Sequence, residues 1–265
     1  MPIITKIAVQ QKKSDRYNIF LDEKYAFSVD EDVLIKHQLK KGMELDEFSI
    51  AEIGYQDEIR KAYNMSIQYL STKMRSEKEV RQFLIKKEID EVIIQEVIHK
   101  LFEFRFLNDK EYALAFVRTQ KNTTDKGIEM VRAELKEKGV PEPFIEEALL
   151  EYPEEDEFKK AFNLCEKFVA KNSRDSAKIV KQKLEQLLMR KGFSFSTMKA
   201  AIAETEVEKT EDEELDVLRA HAEKAHRKFS KLPHFEYEQK MKQTLYRKGF
   251  SLEIIDRVLE EYREI

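Results

Sequence analysis

Four times along this 265-residue chain one pattern of apolar residues returns, centred on Glu88, Gly139, Gly192 and Gly249 at intervals of 51, 53 and 57 residues. A chain patterned this way folds as an array of like units rather than around one unique core. Leu84, Leu135, Leu188 and Leu245 stand four residues before the centres, and Val80, Val131, Leu184 and Met241 eight before. Ile89, Val140, Phe193 and Phe250 follow by one residue, Ile94, Ile145, Met198 and Ile255 by six, and Ile98, Leu149, Ile202 and Leu259 by ten. Each set of four-residue offsets lies along one helical face, so the spacing predicts helix, turn, helix.

Three of the centres are a glycine after a lysine, which suits a helix closing on a left-handed residue with a cation near its negative end. Glu88 lacks the glycine, and its helix end is expected to close differently, by fraying or an ordinary turn. A further amphipathic stretch precedes each pair: around Ile59 to Leu70, Tyr112 to Thr119, Phe158 to Val169 and Leu215 to Ala225. The expected architecture is mainly α, with tandem three-helix repeats forming an elongated curved array. The divisions fall at 46–105, 106–152, 153–205 and 206–265, after an N-terminal module at 1–45. One such unit buries too little apolar surface to stand alone.

That module changes period from 3.6 to 2. Ile3, Thr5, Ile7 and Val9, then Tyr17, Ile19 and Leu21, then Tyr25, Phe27 and Val29 read as three strands of a small antiparallel sheet, turning at Gln11–Asp15 and Asp22–Lys24. A sheet that small is marginal alone. It is expected to rest on a helix from Glu31 to Leu39, and Asp46 opens the long helical run beyond. A stabilising cap and a binding module through Lys12, Lys13 and Arg16 are both open readings.

Charged residues make up 38% and hydrophobic ones 42%, with no Trp, six Gly and five Pro, a composition that excludes a disordered chain and fits helices. No apolar run is long enough to span a membrane and no signal-peptide pattern opens the chain, so the expected location is cytoplasmic and no membrane partner is expected. The single Cys165 sits among Phe162, Leu164 and Phe168 as a core residue. Charge is segregated. Arg60–Lys87 holds eight cations against two carboxylates, whereas Glu146–Glu157 holds seven carboxylates and no cation, and Glu204–Asp216 eight against Lys209. The acidic runs are read as solvated joints between units, with mimicry or repulsion of nucleic acid as the other reading.

Converging chemistry is missing from the sequence. There is no Walker-type phosphate loop, glycine-rich dinucleotide turn or serine elbow. His37, His99, His221, His226 and His234 include no pair three or four apart, and one cysteine completes no zinc site. No catalytic residue, metal or cofactor is expected. What remains is surface: Ser76 followed by Glu79 is a capping-box signature that starts a helix at Glu77. A helix start beside Lys73, Arg75, Arg81, Lys86 and Lys87 can engage phosphate through its cations and its free backbone amides. Arg118, Lys121, Lys126 and Arg132 continue that surface into the second unit, and Lys178, Lys181 and Arg190 carry it into the third. A solvated face with intrahelical ion pairs is the competing reading.

The run Tyr69-Leu70-Ser71, Arg75-Ser76-Glu77 and Glu79-Val80-Arg81, then Phe106-Leu107-Asn108-Asp109, Tyr112-Ala113 and Phe116-Val117-Arg118, then Glu134-Leu135 with Lys138-Gly139-Val140, resembles the RecX regulators of the RecA recombinase. The fourth unit and the N-terminal extension are similar to the longer members found in Gram-positive bacteria. Two turns depart from the family pattern, at Glu88, where it has glycine, and at Ile128, where it has proline. The resemblance implies a non-enzymatic protein that lies in the groove of the RecA filament on single-stranded DNA and damps ATP hydrolysis, strand exchange and coprotease activity. It implies the RecA nucleoprotein filament as partner and DNA bound more weakly alone, while the hydrophilic terminal helix ending Glu260-Glu261-Tyr262-Arg263 suits a capped monomer. A direct single- or double-stranded DNA binder is the alternative.

Overall fold

A computed structural model of the chain describes residues 1–11, 13–205 and 207–262; Lys12, Arg263 and the side chain of Lys13 therefore lie outside it. The chain divides into two compact units, Met1–Ala113 with Lys136–Phe144, and Leu114–Leu135 with the chain from Ile145 onward.

In the first unit β1 (Ile4–Gln10), β2 (Lys13–Leu21) and β3 (Lys24–Asp30) form an antiparallel sheet in that order. Gln10 pairs with Lys13, so the ladder takes in most of the polar stretch expected to turn; backbone pairing outweighs composition there. Helix α1 (Glu31–Lys36) stops three residues short of the expected end because Gln38 turns left-handed (φ 49°), which still delivers Leu39 to the core. The sheet and α1 bury Ile4, Ile19, Val29 and Val33 against Ile53 of α2 (Glu47–Leu70).

One buried ion pair fastens sheet to helix. Arg16 of β2, 7% exposed, holds Asp57 of α2 through two hydrogen bonds of 2.8 and 3.2 Å, and also donates to the Ser28 carbonyl. Arg16 is therefore a strut, not a free binding cation. Burial pushes the Asp57 carboxyl up, yet Arg16, Lys61 and the Asp30 amide outweigh burial and hold it below its ordinary value.

Four three-helix repeats follow: α2, α3 (Glu77–Ile85) and α4 (Glu91–Glu103); α5 (Asp109–Thr123), α6 (Ile128–Glu137) and α7 (Glu142–Leu149); α8 (Glu154–Lys171), α9 (Ala177–Lys191) and α10 (Phe195–Glu204); α11 (Glu211–Phe229), α12 (His234–Tyr246) and α13 (Leu252–Glu261). The eight in-register residues that precede the turns are all fully buried, and of the twelve that follow them only Ile89 is partly open. Cys165 is buried too, which pushes its thiol pKa up against a smaller opposing effect of Thr205.

Gly139, Gly192 and Gly249 take φ of 77°, 74° and 88°, as expected of left-handed closures. Glu88 overturns its expectation. It adopts φ 60°, and the amides of Glu88 and Ile89 return to Ile85 and Leu84 just as those of Gly192 and Phe193 return to Met189 and Leu188. The closure is the same, and a residue with a Cβ bears the strain.

The three glycine turns share a further task. The Lys138 carbonyl accepts the Ser76 hydroxyl (2.8 Å), the Lys191 carbonyl accepts the Gly127 amide (2.9 Å), and the Lys248 carbonyl accepts the Ser176 hydroxyl (2.6 Å). Each turn thus seats on the residue that opens the second helix of the repeat before it. A Cβ on Gly139 would come 2.7 Å from Lys78, and one on Gly249 2.5 Å from the Ser176 hydroxyl. No repeat precedes Glu88. At Gly192 it is the Met130 backbone that leaves no room for a Cβ, and at Gly139 and Gly249 neighbouring side chains crowd the same position, whereas Glu88 has no preceding repeat to seat on.

Candidate interaction surface

The amides at the start of each second helix decide what that helix end can bind, because they are the donors that the helix itself leaves unused. Ser76 and Glu79 form the expected capping box, with Ser76 N–H donating to Glu79 (3.1 Å) and Glu79 N–H to the Ser76 hydroxyl. The next amide, Glu77, donates to Asp109 at 2.8 Å. The same carboxylate cover recurs: Ile128 N–H donates to Glu157 (2.9 Å), and Ala177 N–H to Glu214 (3.3 Å). Asp109, Glu157 and Glu214 each come from the first turn of the following repeat's first helix.

Two expectations change here. The first amide of α3, α6 and α9 is not open to phosphate, because a carboxylate of the same chain already accepts from it. Nor is every acid of the acidic runs solvated, since Glu157 is 2% exposed and also accepts from Ser194 and Thr197. Burial pushes the Asp109 carboxyl up, against the Glu77 hydrogen bond. Ile128 also gains a reason: its N–H makes a bond to Glu157 that proline lacks.

The candidate cations divide by what holds them. Arg81 bridges Glu77 (3.1 Å) and Glu91 (2.6 Å). Arg118 grips Glu151 with two nitrogens, at 2.8 and 3.2 Å, and so holds that carboxyl below its ordinary range. Lys121 pairs with Asp156 at 3.2 Å, Lys126 with Glu134, and Arg132 with Glu129 and Glu146. These five lie partly in interhelical pairs rather than projecting alone into solvent.

Arg75 takes another course. Its guanidinium lies 4.0 Å over the Tyr69 ring, Tyr69 stacks on Phe83 at 4.1 Å and 5°, and Lys87 covers the far side of Phe83 at 5.8 Å. Cation, ring, ring and cation make one column, so neither ring is open for a base to stack between. Lys73 and Lys86 in the first repeat, and Lys178, Lys181 and Arg190 in the third, are exposed and make no ion pair among the described residues. Arg81–Glu77 and Arg132–Glu129 are the intrahelical pairs that spacing allows, whereas Glu91, Glu146, Glu151 and Asp156 come from other segments that the sequence could not bring to these cations.

No group of three or more His, Cys, Asp or Glu stands together to hold a metal among the described residues, and no described helix is long and apolar enough to cross a membrane. His221 donates from Nε2 to the Arg174 carbonyl (2.9 Å), and His226 Nδ1 shares a hydrogen bond with the Tyr237 hydroxyl (2.8 Å).

Family models match this chain in five places. A model described as the regulatory protein RecX N-terminal domain matches residues 2–46, the first RecX three-helix domain matches 62–101, and the second matches 108–149. The third three-helix domain matches twice, at 154–202 and 211–259. The regulatory protein RecX of Bacillus velezensis is 48% identical over 261 residues, covering 98% of this chain and 99% of its own length. That of Bacillus subtilis is likewise 48% identical over 261 residues, with the same coverage. A crystal structure titled regulatory protein RecX superimposes with a TM-score of 0.70 at 37% identity, over 77% of this chain and all of its own. RecX from Lactobacillus salivarius gives 0.54 at 38%, over 56% of this chain and 97% of its own.

Proposed function

The chain belongs to the RecX family of regulatory proteins, and from that premise we propose that it is a non-enzymatic, monomeric, cytoplasmic regulator that binds the RecA filament on DNA and restrains it. The restrained activities are ATP hydrolysis, strand exchange and coprotease function. The observation that carries this reading is the extent of the match: the N-terminal sheet falls within a family domain, a family domain covers most of each repeat, and relatives align over almost their whole length.

The contacts assigned to the filament come in two grades. Lys73 and Lys86 of the first repeat and Lys178, Lys181 and Arg190 of the third are uncommitted within the chain and meet the partner's acids or phosphates directly. Arg75 and Lys87 present their charge from a rigid aromatic column. Arg81, Arg118, Lys121, Lys126 and Arg132 contribute by exchanging an internal carboxylate for an external one, which lowers their net worth. Contacts spread over several repeats add through effective concentration, so no single residue dominates.

The test is RecA-catalysed, single-stranded-DNA-dependent ATP hydrolysis with the purified protein added below one copy per RecA, beside DNA binding over a salt series. Falling hydrolysis at that dose with weak DNA binding supports the reading. Unchanged hydrolysis with tight binding and a salt slope near −3, as neutralisation of about four phosphates on a single strand requires, replaces it with a direct DNA binder.

A further inference from the structure

An ion pair crosses between the second and third helices in three of the repeats, and none does so in the third among the described residues. In the first repeat Arg81 and Glu91 span it (2.6 Å), in the second Lys136 and Glu142 (3.1 Å) together with Arg132 and Glu146, and in the fourth Lys242 and Asp256 (2.9 Å). The corresponding residues of the third repeat are Glu185, Met189, Phe195 and Lys199. There the charges at the Arg81 and Arg132 position and at the Glu146 and Asp256 position are reversed, apolar residues replace the Lys136–Glu142 pair, and no ion pair crosses among the described residues.

The open groove has a volume of about 1030 Å³ between α9 and α10. Its floor includes Met198 and Ile202, while Met189 and Phe195 stand on its walls 67% and 78% exposed. Large apolar side chains left that open, side by side with a cleft, mark an interaction site. Methionine walls adapt to an inserted side chain. Lys178, Lys181 and Lys199 line the same groove without an ion-pair partner among the described residues; Glu185 and Glu208 line it as well. Lys178 and Lys181 both stand in the first half of α9, so the positive charge lies toward the end where that helix begins.

We propose that this groove of the third repeat receives an amphipathic helix from a protein partner, with two bulky apolar side chains on one face and carboxylates at one end. The apolar residues enter between Met189 and Phe195, and the carboxylates meet Lys178 and Lys181. The depth and apolar floor favour a protein segment over nucleic acid, whose recognition rests on phosphates and flat base stacking. This inference goes beyond filament regulation: it shares Lys178 and Lys181 with that reading but rests on the groove and does not require it.

The experiment selects displayed random peptides of about 16 residues, roughly four helical turns, on the full-length protein. Selected peptides are then synthesised and titrated by fluorescence anisotropy against wild type and the M189K/F195E variant. That variant installs the pair that the second repeat carries at Lys136 and Glu142, on two exposed positions, so the fold is kept. Enriched peptides with apolar residues one helical turn apart and clustered carboxylates, binding the variant about thirtyfold more weakly, are the expected result. Should the double variant unfold, Phe195→Ser at the same exposed site gives the comparison. Absence of enrichment, or peptides indifferent to both variants, overturns the proposal. So does a single-stranded oligonucleotide whose binding the variant abolishes, or a wild-type dimer in sedimentation that the variant dissolves.

Discussion

Replacing Gly192 with alanine separates the cost of a left-handed turn from the cost of a joint between repeats. The control is Gly42, which has φ 86° and nothing within 4 Å of an added Cβ. Gly42→Ala therefore bears only the left-handed strain, about 1–2 kcal/mol. Gly192→Ala bears that strain and drives a Cβ into the backbone nitrogen of Met130, with the Met130 Cβ 2.5 Å away. Backbone cannot move aside as a side-chain tip can. Overpacking of this kind costs about 1–3 kcal/mol, and it threatens two hydrogen bonds, Gly127 N–H to Lys191 and Glu129 N–H to Gly192, both 2.9 Å, at about 1 kcal/mol each. The variant should lose about 2–4 kcal/mol more than Gly42→Ala. Urea unfolding followed by far-UV circular dichroism reads the total, and hydrogen exchange at the Gly127 and Glu129 amides reads the joint itself. A difference below about 1 kcal/mol, with protection at those amides retained, would refute the claim that the glycines serve the joint.

Glu88→Gly should act in the opposite sense and stabilise by about 1 kcal/mol, because it relieves a left-handed residue that no neighbour constrains; thermal unfolding checks it. Arg16→Met should cost about 1–3 kcal/mol, because it removes the two guanidinium hydrogen bonds of Asp57 and leaves only Lys61 and the Asp30 amide, and Arg16→Met with Asp57→Leu should recover part of that loss, as a double-mutant cycle in denaturant would record. Asp57 has a folded pKa below its ordinary value, so its stabilisation is present above about pH 4 and is lost as pH falls through the folded value; acid titration of stability should lose that component in Asp57→Asn. Asp109 has the opposite sign: its folded pKa is raised, so ionised Asp109 costs stability at neutral pH. Asp109→Asn keeps an acceptor for the Glu77 amide and should be neutral or stabilising at pH 7, whereas Asp109→Ala orphans that amide and should cost about 1–3 kcal/mol.

The sequence alone determined what depends on neighbours within a turn or two. Helical period placed Leu84, Leu135, Leu188 and Leu245 in the cores, alternation placed the strands, and the Ser76–Glu79 box and the left-handed glycines followed from local backbone chemistry. The same locality limited it. Whether Glu157 is solvated or buried, whether the Ser76 helix start is free, and whether Arg118 is a loose cation or clamped by Glu151 were settled by residues 29 to 62 positions away. Burial and pairing at that range arise only when the helices of one repeat close on each other or a following repeat seats on the one before, and spacing within a helix carries no record of either event. The open groove of the third repeat belongs to the same class: Glu185 and Lys199 are visible in the sequence, but only packing of α9 beside α10 shows that they leave Met189 and Phe195 without a bridge.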